Sequence, residues 1–347
     1  MDKIGKIVRA ERKDEHIKYF LSSKISYGNG FEDVVLENNS LPEINLGEVS
    51  TKHSFLGKTI GFPMMINAMT GGTEDSREIN ELLAALARQF NIPIAVGSQT
   101  VALENPDVFD TFKIVRNVYP GGLVLANVSA NSRVRDAMKA IEMIDANAIQ
   151  LHLNAVQEMC MYEGDRNFTG ILDNIRSMVD EMKLPVIVKE TGFGISYETA
   201  KKLYEVGVRY IDVGGKGGTN FVNIESARNK DRDFTFLENW GIPTALSLLE
   251  CRNVSSDINI ICTGGITKAE EIVKALCMGA DMAGLSGVIL RELVGNGYSA
   301  AEKLIERLMY ETKVIMLLLG AKDINELKDV PYLLKGELRE IYSYKFF

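Results

Sequence analysis

Cysteine is scarce in this 347-residue chain: only Cys160, Cys251, Cys262 and Cys277, with no CxxC spacing. That argues against a disulfide frame and a structural zinc, and fits reduced thiols in the cytoplasm. Proline is also sparse, eight residues against thirty glycines, a balance of many tight turns and little disorder. Basic residues are outnumbered. A net charge of −8 argues against a general nucleic-acid surface but leaves room for a small anionic ligand, whose site is set by local charge. No apolar run approaches the ~20 residues a membrane helix needs. The first residues, MDKIGKIVRAERKDEH, lack an apolar signal region. The expectation is a cytoplasmic protein with no membrane insertion. With 46% hydrophobic residues, the chain can fill one large domain or two small ones.

What is present is a rhythm. Short apolar runs recur: FPMMINAM (62–69), IPIAVGS (92–98), LVLANVS (123–129), AIQLHLN (148–154), PVIVKE (185–190), YIDVGG (210–215), INIICTGG (258–265) and MAGLSG (282–287). Helical spacing follows most of them, as with Ile79, Leu82, Leu83 and Leu86 after the first. Continuous rather than alternating apolar runs imply parallel strands covered on both faces. Eight such units across 61–299 suit a (β/α)8 TIM barrel, typically ~250 residues, better than a doubly wound sheet. The expected α/β organisation is one barrel domain, with an N-terminal arm and lead-in over 1–60 and extra C-terminal helices over 300–347. Residues 216–241 read as a long loop with a charged RNKDRD stretch, a lid candidate. The arm's apolar stripe is Ile17, Phe20 and Leu21, and its charges read first as a solvated helix face.

In such a barrel the active site lies at the C-terminal strand ends. The stretch 148–166, AIQLHLNAVQEMCMYEGDR, concentrates Gln150, His152, Asn154, Gln157 and Glu158 where a buried strand stops. Asn67, Ser98 and Asn127 end the first three strands, and Lys189 ends the fifth. The lysine faces the mouth, since burial without a partner costs too much; Glu190 is the simplest partner and a cofactor atom the other. Gly264 and Gly265 after strand seven, with Ser286 and Gly287 after strand eight, would bare backbone N–H groups and aim a helix start at a phosphate; simple tight turns are the competing explanation. Phosphate there, lysine at strand five and small hydrogen-bonding groups at strands one to three describe a flavin mononucleotide site. Glu158 reads as a helix-start carboxylate or as a magnesium ligand sharing the ion with water and substrate phosphate. His152 is either a satisfied core histidine or part of the polar cluster.

These residues resemble type 2 isopentenyl diphosphate isomerases. The matching motifs are RKDEH (12–16), NAMTGGT (67–73), GSQ (97–99), QLHLN and QE within 150–158, EGDR (163–166), VKETGFG (188–194), GGKGGTNF (214–221), NWG (239–241) and TGGI (263–266), in order across most of the chain. The resemblance implies a (β/α)8 flavoprotein that binds FMN and Mg2+ and interconverts isopentenyl and dimethylallyl diphosphate. It implies FMN contacts at Ala68, Met69, Thr70, Ser98, Asn127, Lys189 and Thr219, with phosphate on Gly264, Gly265, Ser286 and Gly287. It implies substrate contacts at Arg12, Lys13 and Gln157 and magnesium at Glu158, so that the arm folds over the mouth onto the diphosphate. It implies a homo-tetramer or homo-octamer. One departure is Thr100, where the family commonly has arginine after GSQ; Arg133, Arg135 and Arg166 are the compensating candidates. The GLSG ending of strand eight is also a loose match.

The implied reaction moves a double bond by one carbon. An alkene is a very weak base, and no side-chain pair here is an obvious acid for it. The resemblance assigns that task to reduced FMN without net redox, NADPH serving only as reductant, with His152 and Gln157 in positioning or supporting proton roles. The alternative is another FMN-dependent barrel oxidoreductase acting on a small anionic substrate. A 2-hydroxy-acid oxidase would need a histidine near the end of strand six or seven, and 210–265 has none. An inosine-monophosphate-dehydrogenase-like enzyme would need a cysteine after strand six, and GGKGGTNF has none. A non-catalytic phosphate-binding barrel predicts no flavin and tolerance of changes at Gln157 and Glu158.

Overall fold

The structure, a computed structural model, describes residues 13, 15–22, 28–228 and 233–347. Eight parallel strands close on themselves: β1 (Met64–Ile66), β2 (Ile94–Ala95), β3 (Val124–Ser129), β4 (Ala148–Leu153), β5 (Val186–Glu190), β6 (Tyr210–Asp212), β7 (Asn259–Thr263) and β8 (Met282–Leu285). Each pairs with its sequence neighbours, and β8 returns to β1 through Ala283 opposite Met64. The barrel anticipated from the apolar runs is the fold.

The lower half of the barrel is filled from within. Met65, Ala95, Leu125, Ile187, Ile261 and Met282 are buried together, and Phe55 and Ile60 join them from an antiparallel hairpin of His53–Phe55 with Lys58–Ile60. This plug leaves the polar residues of each strand to the upper, C-terminal half. The outer core lies between strands and helices. The helix Glu74–Phe90 shows how the sequence starts one: Thr73 caps it in a reciprocal box with Ser76, and Leu83, Leu86 and Ala87 form its buried face.

Two features depart from expectation. The segment 216–241 is not one loop. It contains a helix, Phe221–Arg228, and a 3-10 turn, Thr235–Leu237. Val222 packs there with Cys160 and Phe193 in a small core of its own. The barrel helix after β6 is Thr244–Arg252, in which every residue from Thr244 to Cys251 is buried. A helix covered on all sides has no polar face, so its sequence lacks the stripe that marks the others. Its Glu250 is 2% exposed and meets Lys345 at 2.7 Å, from the C-terminal helix Gly336–Phe346.

The segments that flank the barrel are tied together. Val34–Leu36 pairs antiparallel with Tyr332–Leu334, Val34 facing Leu334. Between β8 and that strand run the helices Gly287–Asn296 and Tyr298–Leu319. Among the described residues no helix is long and apolar enough to cross a membrane.

Candidate active site

The strand ends converge on a buried polar network above the apolar plug. Lys189, 7% exposed at the end of β5, lies 3.2 Å from the Asp212 carboxylate at the end of β6 and donates to the Glu190 carbonyl at 3.0 Å. Asp212 is fully buried and accepts from Asn67 Nδ2 at 2.6 Å. Asn67 also donates to Thr263 Oγ1 and accepts from Gln150 Nε2 at 2.9 Å. Gln150 accepts from Asn127 Nδ2 at 2.9 Å, and Asn127 Oδ1 lies 2.9 Å from His152 Nδ1. Strands β1, β3, β4, β5, β6 and β7 therefore share one network across the barrel.

The carboxylate that pairs with Lys189 is thus Asp212, not Glu190. The Glu190 side chain turns the other way and accepts from the backbone N–H groups of Gly192, Phe193 and Gly194 at 2.7, 2.5 and 3.1 Å. Burial pushes its carboxyl up to about 7, against those donors and Lys189. Asp212 was missed in the sequence because it sits between Ile211 and Val213 in the shortest kind of apolar run. The available signal was a carboxylate inside a strand beside one that ends in lysine.

Ala68 N–H donates to Asn67 Oδ1 at 2.8 Å, which starts the turn after β1. Met69 lies half-buried against the core. Thr70 is 1% exposed, and its hydroxyl has no hydrogen-bond partner. A buried hydroxyl without a partner is costly, and one on a strand-end turn is where a ligand atom would satisfy it. Ser98 Oγ lies 3.1 Å from Thr100 Oγ1. The neighbouring Gln99 is fully buried and serves the framework, accepting from Asn127 N–H and donating to Ala140 O.

Glycine loops close the other side. A β-carbon on Gly264 would come within 2.2 Å of Gly215 O, and one on Gly265 within 2.2 Å of Gly217 O. The mutual approach of the loops after β6 and β7 accounts for these glycines on packing grounds alone. Thr219 lies half-buried on the same β6 loop, its carbonyl against Gly192. Ser286 and Gly287 open the helix after β8.

After β4, Gln157 and Glu158 lie on the short helix Ala155–Cys160. Glu158 accepts from Asn154 Nδ2 and from Asp165 N–H, both at 2.8 Å. Asn154 also donates to Gln157 Oε1 at 3.4 Å, so it braces this helix instead of joining the Gln150 network. Among the described residues no group of three His, Cys, Asp or Glu is placed to hold a metal. Arg166 is committed to the loop, donating to the carbonyls of Met161 and Gly164 at 2.6 and 2.7 Å. It is not placed to replace the missing arginine at 100. Arg133 and Arg135 are exposed at the start of the helix Val134–Ile144.

Arg12 lies outside the described residues. Lys13 reaches the mouth: its ammonium donates to Gly71 O and, at 2.8 Å, to Ser98 O, beneath the loops of β1 and β2. The arm is held from the other side by His16, 2.7 Å from Glu225 on the helix Phe221–Arg228. Arg228 bridges Glu225 to Glu15 and Glu163.

Comparison with known proteins agrees with this geometry. A family model described as FMN-dependent dehydrogenase matches residues 124–332. An isopentenyl-diphosphate delta-isomerase of Listeria innocua is 41% identical over 340 residues, covering 97% of this chain and 95% of that protein. One from Geobacillus is 44% identical over 331 residues, covering 95% and 94%. Among solved structures, a flavocytochrome b2 variant with pyruvate bound has a TM-score of 0.69 at 18% identity, covering 96% of this chain and 87% of that one. A soluble mutant of the membrane-associated (S)-mandelate dehydrogenase of Pseudomonas putida has a TM-score of 0.65 at 15% identity, covering 94% and 98%. At such identities the two structures share the fold alone. With its motifs in order and near-complete coverage at more than 40% identity, the chain belongs to the type 2, FMN-dependent isopentenyl-diphosphate delta-isomerase family.

Proposed function

We propose that this chain interconverts isopentenyl and dimethylallyl diphosphate, with reduced FMN at the barrel mouth and Mg2+ on the diphosphate. The single observation that carries the reading is Lys189, a buried ammonium held at the mouth by Asp212. A buried ion pair contributes little to stability against an apolar replacement, so an ammonium at the mouth is better accounted for by a ligand than by folding. The orphan Thr70 hydroxyl supports the same placement.

Ala68, Met69, Thr70, Ser98, Asn127, Lys189 and Thr219 would hold the flavin, with its phosphate toward Gly264, Gly265, Ser286 and Gly287. When bound, reduced FMN supplies an electron-rich ring that can give and take a proton without net redox, and NADPH serves only to reduce it. The protein's task is to orient and enclose. Arg12, Lys13 and Gln157 grip the diphosphate, and Glu158 offers one carboxylate to Mg2+ beside substrate oxygens and water. His152 and Gln157 place the alkene or support a proton transfer. The arm and the helix Phe221–Arg228 keep water from the developing tertiary cation. The protein works in the cytoplasm as a homo-tetramer or homo-octamer, with no nucleic-acid partner.

Oxidation of a small 2-hydroxy acid is the competing reading, since the fold neighbours include mandelate dehydrogenase. The stretch from Tyr210 to Gly265 holds no histidine to act as its base. The deciding experiment is an anaerobic assay with isopentenyl diphosphate, reduced FMN and Mg2+. The allylic diphosphate should accumulate only when all three are present. Its absence from flavin-loaded protein overturns the proposal.

A further inference from the structure

We propose that the side-chain amides of Asn67, Gln150 and Asn127 form a one-directional relay, anchored at Asp212, that fixes His152 as the tautomer protonated on Nδ1. Each link has a defined donor. Asn67 Nδ2 donates to Asp212 at 2.6 Å, Gln150 Nε2 to Asn67 Oδ1 at 2.9 Å, and Asn127 Nδ2 to Gln150 Oε1 at 2.9 Å. The last oxygen, Asn127 Oδ1, faces His152 Nδ1 at 2.9 Å and requires a proton there.

Two fixed groups decide the sense of the chain. The Ala68 backbone N–H can only donate, and it donates to Asn67 Oδ1 at 2.8 Å. Asp212, the carboxylate partner of Lys189, accepts from the other side of the same amide. Turning Asn67 over would set its carbonyl against a carboxylate and its NH2 against an N–H. With Asn67 fixed, Gln150 must present NH2 to it and C=O to Asn127, and Asn127 must then present C=O to the histidine. Asn67, Gln150 and Asn127 are 0%, 0% and 3% exposed, so water offers no alternative partners. Aligned hydrogen bonds of this kind also polarise one another.

The relay requires a proton on Nδ1, so whenever the imidazole is neutral its lone pair sits on Nε2. The four residues are positioning residues, with no contact with substrate required of them. What the lone pair serves rests on the isomerase reading; the tautomer itself does not.

The test is magic-angle-spinning NMR of the flavin-loaded protein with 15N-labelled histidine. Only three histidines are present, so loss of one signal in His152→Asn assigns the site. The wild type should show a single Nδ1–H tautomer for His152; an Nε2–H tautomer or a mixture overturns the relay. Gln150→Met breaks the chain while leaving the Lys189–Asp212 pair intact, and a second tautomer should appear. Gln150→Glu keeps an acceptor for Asn127 and should retain the single one. An unchanged spectrum in Gln150→Met overturns the relay. Should that variant not fold, Asn67→Leu breaks the chain one link earlier with the same expectation. None of these spectra depends on isomerase activity, so failure of the relay and failure of the assigned reaction are read separately.

Discussion

The ring of Phe20 lies against Gly287. A β-carbon at Gly287 would come within 2.4 Å of the ring's tip, and Arg291 holds the same turn of the arm by its Phe20 and Leu21 carbonyls. The arm thus rests on the start of the helix that follows β8. Gly287→Ala should push Phe20 aside and loosen the arm. Limited trypsin digestion should then cleave at Lys18 several times faster than in the wild type, with weaker FMN retention. An unchanged cleavage rate would show that the ring reseats without releasing the arm.

Lys189→Met removes the one cation that, among the described residues, lies beside the fully buried Asp212. A buried charge stripped of its partner costs about 3–5 kcal/mol. The variant should lose FMN and melt well below the wild type, even when both are compared without flavin. Equal melting temperatures would mean that Asn67 and the Gly214 N–H satisfy the carboxylate alone.

Glu158→Gln removes the charge and keeps one of the two acceptor oxygens, so either the Asn154 or the Asp165 contact is retained. The Mg2+ needed for half-maximal activity should rise roughly tenfold, about 1.4 kcal/mol. Thermal stability should hold. Unchanged metal dependence removes Glu158 from the metal site.

Glu190 gives a pH signature. Burial raises its carboxyl from 4.5 to about 7. Between those values the folded state keeps a proton that the unfolded state has lost, so stability falls as pH rises through this window. The full span is worth roughly 3 kcal/mol. Denaturant unfolding should show a decline from pH 5 to 7 that flattens in Glu190→Gln. A wild-type profile that is flat or rising there would show that the three N–H donors outweigh desolvation.

The barrel was legible because most of its buried strands are apolar runs that stop at a polar residue. The mouth positions of Asn67, Asn127 and Lys189 follow from that same feature. Other parts were not legible for identifiable reasons. Thr244–Arg252 is buried on all sides and carries no stripe. The partner of Lys189 is set by strand adjacency, Lys189 opposite Asp212 across β5 and β6, while the chain suggests its neighbour Glu190. The helix Phe221–Arg228 sits in a charged segment but is stabilised by the arm and by Cys160 and Phe193, contacts distant in sequence. The chemistry of Thr100 and Arg166 likewise depended on which carbonyls the arginine met.

The pairing of Val34–Leu36 with Tyr332–Leu334 has a consequence for biosynthesis. The strand Val34–Leu36 leaves the ribosome before the whole barrel and must wait for Tyr332–Leu334 before it finds its partner. The eight strands between can close meanwhile, since most pair with the next strand in the chain and the last of them, β8, completes the barrel against β1 before Tyr332 is made. Joining the two ends closes a very long loop and is entropically demanding. A nascent chain stalled or cleaved before Tyr332 would therefore carry a closed barrel with Val34–Leu36 unpaired.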